Sequence, residues 1–280
     1  MRRRVLVLLL LGGGGCSLFL DTGGFEGTPD TTSPDASTGT DSGSSNTSDS
    51  APGTDATTNV DAADDDASID AGFDVQSAIV GDWPFDEGSG TVINDKSGHA
   101  HSGLIFGGTW VSDHLGGTTN ALGLDGGSTN YVSVAGGPDF DRSATPSFSM
   151  MAWAKVDDTP NHDMFFSVSF GNTDSAYGIE IQGPTTLNYW DGTTHAGQVT
   201  IPNVVGAWHH YGVVVEGAQA RIYFDGVRVS QATADVTPRT STQLFFGRSN
   251  FGDFLTGAVD KARYFRVALT DAEMMAEKNR

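Results

Sequence analysis

The sequence predicts an all-β protein, a two-sheet antiparallel sandwich of the jelly-roll type. Residues 208–229 carry the clearest signal, because β-branched and aromatic side chains alternate there with the period of two that is typical of strands. Asp225-Gly226 stands between two such runs and favours a two-residue hairpin turn, since glycine adopts positive φ without strain. Short apolar runs recur along the chain, and 37 glycines supply turns between them.

The N-terminus, residues 1–16, predicts an export signal with a lipobox-like cysteine. Three arginines precede the apolar core Val5–Leu11, which is far too short to span a bilayer. Cys16, the single cysteine of the chain, follows this core as in bacterial lipoprotein signals, which it resembles and in which the cysteine is acylated. Ser17 in place of an aspartate favours the outer membrane or cell surface by the same resemblance. The alternative is an ordinary secretory signal, which would leave the protein secreted or periplasmic.

Residues 17–75 predict a disordered acidic linker. This segment is rich in Ser, Thr, Asp and Gly, and it holds 13 acidic residues and no Lys or Arg. It cannot bury enough apolar surface to offset its ordering entropy, and its like charges keep it extended. The alternative, an acidic calcium-binding tail, lacks the ligand spacing of the helix-loop-helix calcium site. We therefore expect a stalk that holds a domain away from a surface.

Residues 76–280 form the predicted globular domain, which is long enough for one core. Strands are expected at 79–85, 104–106, 121–126, 131–134, 148–156, 164–170, 177–182, 187–190, 208–229, 244–248 and 255–269. Pro84 makes the first of these an edge or entry strand. Thr270, with Glu273 three residues later, predicts a capping box that begins a short C-terminal helix.

Seven short motifs in this region follow one another in a familiar order. They are Trp83–Gly90, Asp95–Gly98, Ala121–Gly126, Phe148–Trp153, Trp208–His210, Tyr223–Gly226 and Gly257–Arg263. Together they resemble the laminin-G-like, concanavalin-A-like jelly-roll domains of bacterial surface proteins, over residues 77–278. The resemblance implies two curved antiparallel sheets, and it implies binding far more often than catalysis.

The same resemblance implies a calcium site between the loop after the first strand and the last long strand. Asp95 and Ser97 lie in that loop, and Asp260 matches the aspartate of the last-strand motif. Calcium prefers six to eight hard oxygen ligands, which carboxylates and carbonyls supply. Lys261 stands where the family has an acidic residue, but neighbours on a strand face opposite ways. The alternative is that Asp95 caps its loop and Asp260 pairs with Arg263 or the backbone.

The histidines are expected to be structural. His209 and His210 are adjacent on a strand, so their side chains point to opposite faces and cannot chelate one metal ion. Beside Trp208 they match the structural Trp-His pattern of the family. His99 and His101 could share a face, but they lie in a polar loop with no cysteine nearby, and no transition-metal site is predicted there.

Catalysis is not expected, and we predict that the protein is not an enzyme. A glycoside hydrolase needs two carboxylates on one face. Glu180 has Gly178 and Gln182 as its same-face neighbours along the strand, and neither is an acid. The chain also lacks the Gly-x-Ser-x-Gly motif of a nucleophile elbow.

A glycan-binding surface is the favoured function, because sugar sites combine aromatic rings with a few polar groups. Two turn-rich segments fit this description: Tyr189, Trp190 and Asp191, and then Phe251, Asp253 and Phe254. The alternative for each aromatic ring is packing in the core or at its rim.

The sequence thus predicts an exported, lipid-anchored binding module whose partner is a glycan or a surface protein, with calcium as the cofactor that the resemblance implies. A protein–protein adhesion or structural domain is the alternative function, and a glycoside hydrolase is less favoured. The formal net charge of −20 repels phosphate backbones and argues against a nucleic-acid partner.

Overall fold

The computed structural model describes residues 74–158, 161–171 and 176–280. Residues 1–16, with Cys16, and all but the last two residues of the predicted linker 17–75 lie outside the described residues. Within the described ranges, no helix is both long enough and apolar enough to cross a membrane.

Sixteen strands and one α-helix make up most of the described chain. The strands are β1 (Ile79–Trp83), β2 (Val92–Ile93), β3 (Gly103–Phe106), β4 (Thr109–Val111), β5 (Ala121–Asp125), β6 (Tyr131–Ala135), β7 (Ser147–Val156), β8 (Asp163–Ser169), β9 (Ala176–Gln182), β10 (Thr186–Trp190), β11 (His195–Thr200), β12 (Trp208–Glu216), β13 (Gln219–Phe224), β14 (Val227–Thr233), β15 (Gln243–Phe246) and β16 (Thr256–Phe265). Three 3₁₀ turns span Val75–Ala78, Pro138–Phe140 and Gly183–Thr185, and helix α1 is Asp271–Lys278.

The strands form two antiparallel sheets that pack as a sandwich, which confirms the predicted fold. The first sheet has the order β14-β13-β12-β7-β16-β5-β4, and β1 joins it beside β16. The second sheet has the order β11-β10-β9-β8-β15-β6-β3-β2. Strand β1 ends just before Pro84, in agreement with the expected edge or entry strand.

The main core lies between the sheets and is rich in aromatic side chains. Trp83 is fully buried there, and its ring meets those of Phe166 and Phe246 edge-on, with 5.8 and 5.1 Å between the ring centroids. Its indole N–H donates to the His101 carbonyl over 2.7 Å. Burying such large rings supplies much of the hydrophobic stabilisation of a domain.

The meander 208–229 shows the predicted alternation. Val213 and Val215 point into the main core, whereas Val214 joins a second apolar cluster on the opposite face of the first sheet. The hairpin turn at Asp225 and Gly226 has positive φ at both residues, 49° and 79°, which is the expected geometry for a tight two-residue turn.

Helix α1 covers part of the outer face of the first sheet. Met274 is fully buried in the second apolar cluster. Its Cε lies only 2.3 Å from the position that a Cβ on Gly212 would occupy.

Strand β11 was not predicted, because this edge strand is largely polar and exposed and shows little apolar alternation.

Candidate functional site

An open cleft of about 240 Å³ lies on the second sheet, on the side that faces away from the core. It is lined by His162, Met164, Glu180, Trp190, His195, Phe251 and Asp253. These residues come from the loop before β8, from strands β8 to β11 and from the loop after β15. We refer to this group as the cleft.

Strand alternation explains why Glu180 and Trp190 face outward. Their neighbours Ile179 and Ile181 on β9, and Tyr189 on β10, point into the main core. The hairpin between β10 and β11 pairs Trp190 with His195, so the imidazole lies beside the indole, with 4.8 Å between the ring centroids. Three adjacent strands therefore present an acid, an indole and an imidazole on one surface.

The aromatic part of the cleft is a corner formed by two rings. Trp190 and Phe251 are 5.9 Å apart and nearly perpendicular, with an interplanar angle of 86°. Phe251 is 44% exposed, and its loop is held by the buried Ser249, whose hydroxyl accepts from the Phe251 amide at 2.9 Å and donates to Asp253 at 2.5 Å. The corner thus offers an accessible apolar surface beside a positioned carboxylate.

The polar part of the cleft centres on Glu180, whose side chain is only 3% exposed. His162 Nδ1 lies 2.5 Å from Oε1 of Glu180, and His195 Nε2 lies 3.4 Å from Oε2. Gln182 also donates to Oε1, over 3.1 Å. Among the described residues, the two histidines are the ion-pair partners of this carboxylate.

A second buried carboxylate, Asp163, lies next to the cleft. Burial raises its pKa to about 7, and the negative charges of Asp158, Asp253 and Glu180 add to the rise. Its Oδ2 is buried without a hydrogen-bond partner among the described residues. Asp163 is therefore only partly ionised near neutral pH.

The structure brings together three of the six predicted ligand-contact residues, Trp190, Phe251 and Asp253. Phe254 lines an adjoining cleft of about 210 Å³ that shares His162 and Asp253, and the Arg248 guanidinium lies over its ring at 5.4 Å. Both predicted segments thus contribute to one surface.

Tyr189 and Asp191 do not line the cleft. Tyr189 is fully buried in the main core, because it alternates with Trp190 along β10. Asp191 is buried in the β10–β11 turn and accepts bonds from Thr193, Thr194 and the Asp235 amide. Burial raises the pKa of Asp191, but these hydrogen bonds outweigh it and lower the pKa below its usual value. Both residues therefore have structural roles.

Sequence reasoning missed four cleft residues, His162, Met164, Glu180 and His195. Because Trp190 and His195 flank a four-residue turn, the sequence could have predicted that these two residues pair across a hairpin. The prediction that the protein is not a hydrolase rested on the same-strand neighbours of Glu180 and on the lack of a nucleophile elbow. It was incomplete, because Asp253 reaches the same cleft from a loop that is distant in sequence.

The residues predicted to bind calcium have partners within the protein. The Asp95 carboxylate accepts from the amides of Asp82, Ser97 and His101, and from the Ser97 hydroxyl, at 2.8–2.9 Å. Burial raises the pKa of Asp95, whereas the three amide bonds and the hydroxyl bond bring it below its usual value. This is the loop-capping arrangement named as the alternative, and calcium binding here stays a prediction.

Asp260 is buried and pairs with His114, with 2.6 Å between Oδ2 and Nδ1. The His114 ring stacks on Trp153 at 4.2 Å. Arg263, the partner suggested by sequence, instead contacts Asp82 and Glu277. Lys261 donates to the Arg280 carbonyl over 2.7 Å.

Two groups of histidines and acids among the described residues could hold a metal ion. One is His162, Glu180 and His195, and the other is His99, His101 and Asp139. Neither group contains Asp95 or Asp260. The adjacent His209 and His210 have separate environments, since His209 pairs with Asp225 at 2.9 Å and His210 is buried.

Comparison with known proteins agrees with this architecture. The Laminin_G_3 family, described as the concanavalin A-like lectin/glucanases superfamily, matches residues 125–275. No curated protein matches the chain.

Several solved structures share the fold at low sequence identity. The binding domain of Paraclostridial Mosquitocidal Protein 1 is 12% identical, with a TM-score of 0.57 over 74% of this chain and 53% of that chain. Trypanosoma rangeli sialidase in complex with sialic acid is 14% identical, with a TM-score of 0.57 over 71% of this chain and 32% of the sialidase.

A third structure matches over nearly its whole length. Domain 4 of AbnA, a GH43 extracellular arabinanase from Geobacillus stearothermophilus, in complex with arabinotriose, is 18% identical, with a TM-score of 0.54 over 71% of this chain and 98% of that domain. The chain spans about half of the mosquitocidal binding domain and about a third of the sialidase. At these identities the likeness shows the fold alone. With the family match and the two-sheet architecture together, the chain belongs to the Laminin_G_3 family of concanavalin A-like domains.

Proposed function

We propose that this protein is a carbohydrate-binding module and that the glycan binds in the cleft. The observation that carries the proposal is the perpendicular pair Trp190 and Phe251, open to solvent and bordered by carboxylates and imidazoles. The C–H faces of a sugar pack on such rings, while Asp253 accepts hydrogen bonds from its hydroxyl groups.

The charge of the cleft favours a neutral glycan. Glu180 and Asp253, which line the cleft, would repel a sugar that carries a carboxylate. Of the structures with this fold, the arabinanase domain is in complex with arabinotriose and the sialidase is in complex with sialic acid. The arabinotriose complex supports the proposal because this oligosaccharide is neutral.

A glycan array that contains neutral and sialylated oligosaccharides tests the proposal. We expect binding to neutral glycans, and we expect Trp190→Ala or Phe251→Ala to weaken it tenfold or more, since an aromatic hot-spot residue costs about 2 kcal/mol or more on truncation. Phe106→Ala is the matched control, because Phe106 is 42% exposed and Phe251 is 44% exposed.

Two results would contradict this proposal. Absence of binding to every glycan on the array would contradict the carbohydrate function. Loss of glycan binding in Phe106→Ala alone, with binding kept in the two cleft variants, would place the site outside the cleft.

Binding rather than hydrolysis is proposed, so mass spectrometry of the bound glycan should find it intact after incubation. Hydrolysis products that form with the unmodified chain and are absent with Glu180→Gln would favour the hydrolase alternative.

One observation favours the adhesion alternative. Leu104 and Phe106 are 57% and 42% exposed at alternate positions of strand β3, on one face, and the Phe106 ring stacks on Tyr131 at 4.8 Å. Exposed apolar side chains that lie together are typical of protein-binding surfaces. A protein partner whose binding is lost in Phe106→Ala and kept in Phe251→Ala would support this second function.

We also propose that the module is exported and held at the membrane by a lipid on Cys16, which lies outside the described residues. The apolar core followed by the single cysteine supports this proposal. Cys16→Ser is expected to abolish incorporation of a labelled fatty acid and to release the protein from the membrane fraction. Unchanged labelling of the variant would contradict the anchor.

A further inference from the structure

The cluster His162, Glu180 and His195 brings three potential metal ligands together on the outer face of the second sheet. The ligand atoms of the three side chains lie within 4.8 Å of one another. His162 Nδ1 is 2.5 Å from a carboxylate oxygen of Glu180 and 3.1 Å from the amide nitrogen of Gln182. With a proton on Nδ1, both His162 and Gln182 donate to Oε1 of Glu180, and without that proton Nδ1 offers a lone pair to a metal ion.

We propose that His162, Glu180 and His195 bind a zinc ion. Two imidazole nitrogens and a carboxylate oxygen form one of the common zinc ligand sets, with one position left open. A zinc ion would use the Nδ1 lone pair and the Glu180 charge together, and Gln182 would keep its bond to the carboxylate. The inference concerns the metal alone and does not rest on glycan binding.

One distance between ligand atoms already fits a tetrahedral ion. Bonds of about 2.0–2.2 Å place neighbouring ligand atoms roughly 3.3–3.6 Å apart. His195 Nε2 and Glu180 Oε2 are already 3.4 Å apart. The closer contact to His162 can open by rotation of that imidazole, because its side chain is 42% exposed and lies in the loop before β8.

The side chains around the cluster support a bound cation. Gln182 donates to Glu180 and accepts from Gln198 over 2.9 Å, so the carboxylate is held by an outer layer of polar groups. Asn188, directly opposite Glu180 in the β9–β10 register, is fully buried, and both of its polar side-chain atoms lack a partner among the described residues.

The other cluster is less suited to a metal. His99 and His101 both point at the same oxygen of Asp139, and the Arg266 guanidinium lies 3.9 Å from the other oxygen. That guanidinium already supplies positive charge to the only carboxylate of the group. His99 therefore provides a natural control, since its side chain is 41% exposed and that of His195 is 37% exposed.

Zinc binding to the full chain, without a polyhistidine tag and after removal of metals with a chelator, tests the proposal. Isothermal titration with ZnCl₂ in the absence of sugar should show one tightly bound zinc per chain. His195→Gln and Glu180→Gln should weaken it at least 100-fold, because loss of an outer-layer partner alone costs 10–100-fold. His99→Gln should bind zinc like the unmodified chain.

Three results would overturn the inference: no tight zinc binding, unchanged binding in His195→Gln, or an equal loss in His99→Gln. Because His195 is exposed, its variant should fold even where Glu180→Gln does not. Trp190→Ala should lose glycan and keep zinc, so failure of the glycan proposal and failure of the zinc site are distinguishable. Excess Ca²⁺ should not displace the zinc, since imidazole is a poor ligand for calcium.

Discussion

The His210 imidazole projects from strand β12 of the first sheet and is buried. It is 1% exposed, it meets Trp153 edge-on at 5.6 Å, and its Nδ1 has no hydrogen-bond partner among the described residues. Burial lowers its pKa from 6.5 to about 3, and nearby positive charges such as Lys278 act in the same direction, while Asp225 opposes them. The folded protein therefore holds this histidine neutral.

This single side chain should make the fold sensitive to acid. The unfolded chain binds a proton on His210 below pH 6.5, whereas the folded chain does so only near pH 3. Stability is therefore full above pH 6.5 and is lost as the pH falls through that window. Between pH 7.5 and 5 the loss from His210 should be about 2 kcal/mol, measured by urea unfolding.

The variant His210→Phe keeps an aromatic ring and removes the titration. We expect its free energy of unfolding to fall less than that of the unmodified chain over the same pH range. His209→Phe changes the neighbouring residue on the opposite face and should retain the fall that is due to His210. Parallel pH profiles for His210→Phe and the unmodified chain would contradict this prediction.

At the scale of elements, helix α1 depends on its capping box. Thr270 Oγ1 accepts from the Glu273 amide at 3.2 Å, and the Glu273 carboxylate accepts from the Thr270 amide at 2.7 Å. These bonds satisfy amide groups that a helix N-terminus leaves without partners. Since the helix carries the buried Met274, its start determines how the second apolar cluster is covered.

Thr270→Ala should destabilise the protein by about 1 kcal/mol, because it removes the side-chain cap. Denaturant midpoints measure the effect, and Thr270→Ser, which keeps the hydroxyl, should lie within a few tenths of a kcal/mol of the unmodified chain. Thr200→Ala, at an exposed position on edge strand β11, is the control for loss of a threonine. Equal midpoints for Thr270→Ala and Thr200→Ala would contradict a stabilising role of the cap.

At the scale of the whole molecule, the predicted calcium site would connect the two sheets. Asp95 lies in the loop between β2 and β3 of the second sheet, and Asp260 lies on β16 of the first. A calcium ion held only when both sheets are assembled would stabilise the folded state by binding to it alone. Its effect should therefore appear in the melting temperature of the domain.

Addition of Ca²⁺ to metal-free protein should raise the melting temperature if this site binds the ion. At a Ca²⁺ concentration of 100 times the Kd, the free energy of unfolding should increase by about 2.7 kcal/mol. Asp260→Asn should abolish the Ca²⁺-induced rise, and Asp86→Asn, an equal change of charge at an exposed position, should keep it. The comparison uses the rise itself, because Asp260→Asn also weakens the pair with His114. An unchanged melting temperature on addition of Ca²⁺ would remove the calcium prediction.

Much of the architecture followed from local patterns. Alternation identified β7 and β12, the Asp225-Gly226 pair identified a hairpin, and Thr270 with Glu273 identified the start of α1. Each of these signals lies within a few residues of chain, where side-chain periodicity, positive φ and capping act directly. The same alternation could have separated the buried Tyr189 from the outward-facing Trp190.

The sequence by itself determined the two-sheet class, the main strands, the hairpin and the helix cap, because local geometry decides them. Only the tertiary structure decided that Trp190 and Phe251 form one corner and that Glu180 lies between His162 and His195. Strand order and register bring those residues together across the second sheet, and a local pattern of residues does not specify which distant strands become neighbours. The cleft, with its glycan and zinc proposals, is therefore a property of the assembled sheet.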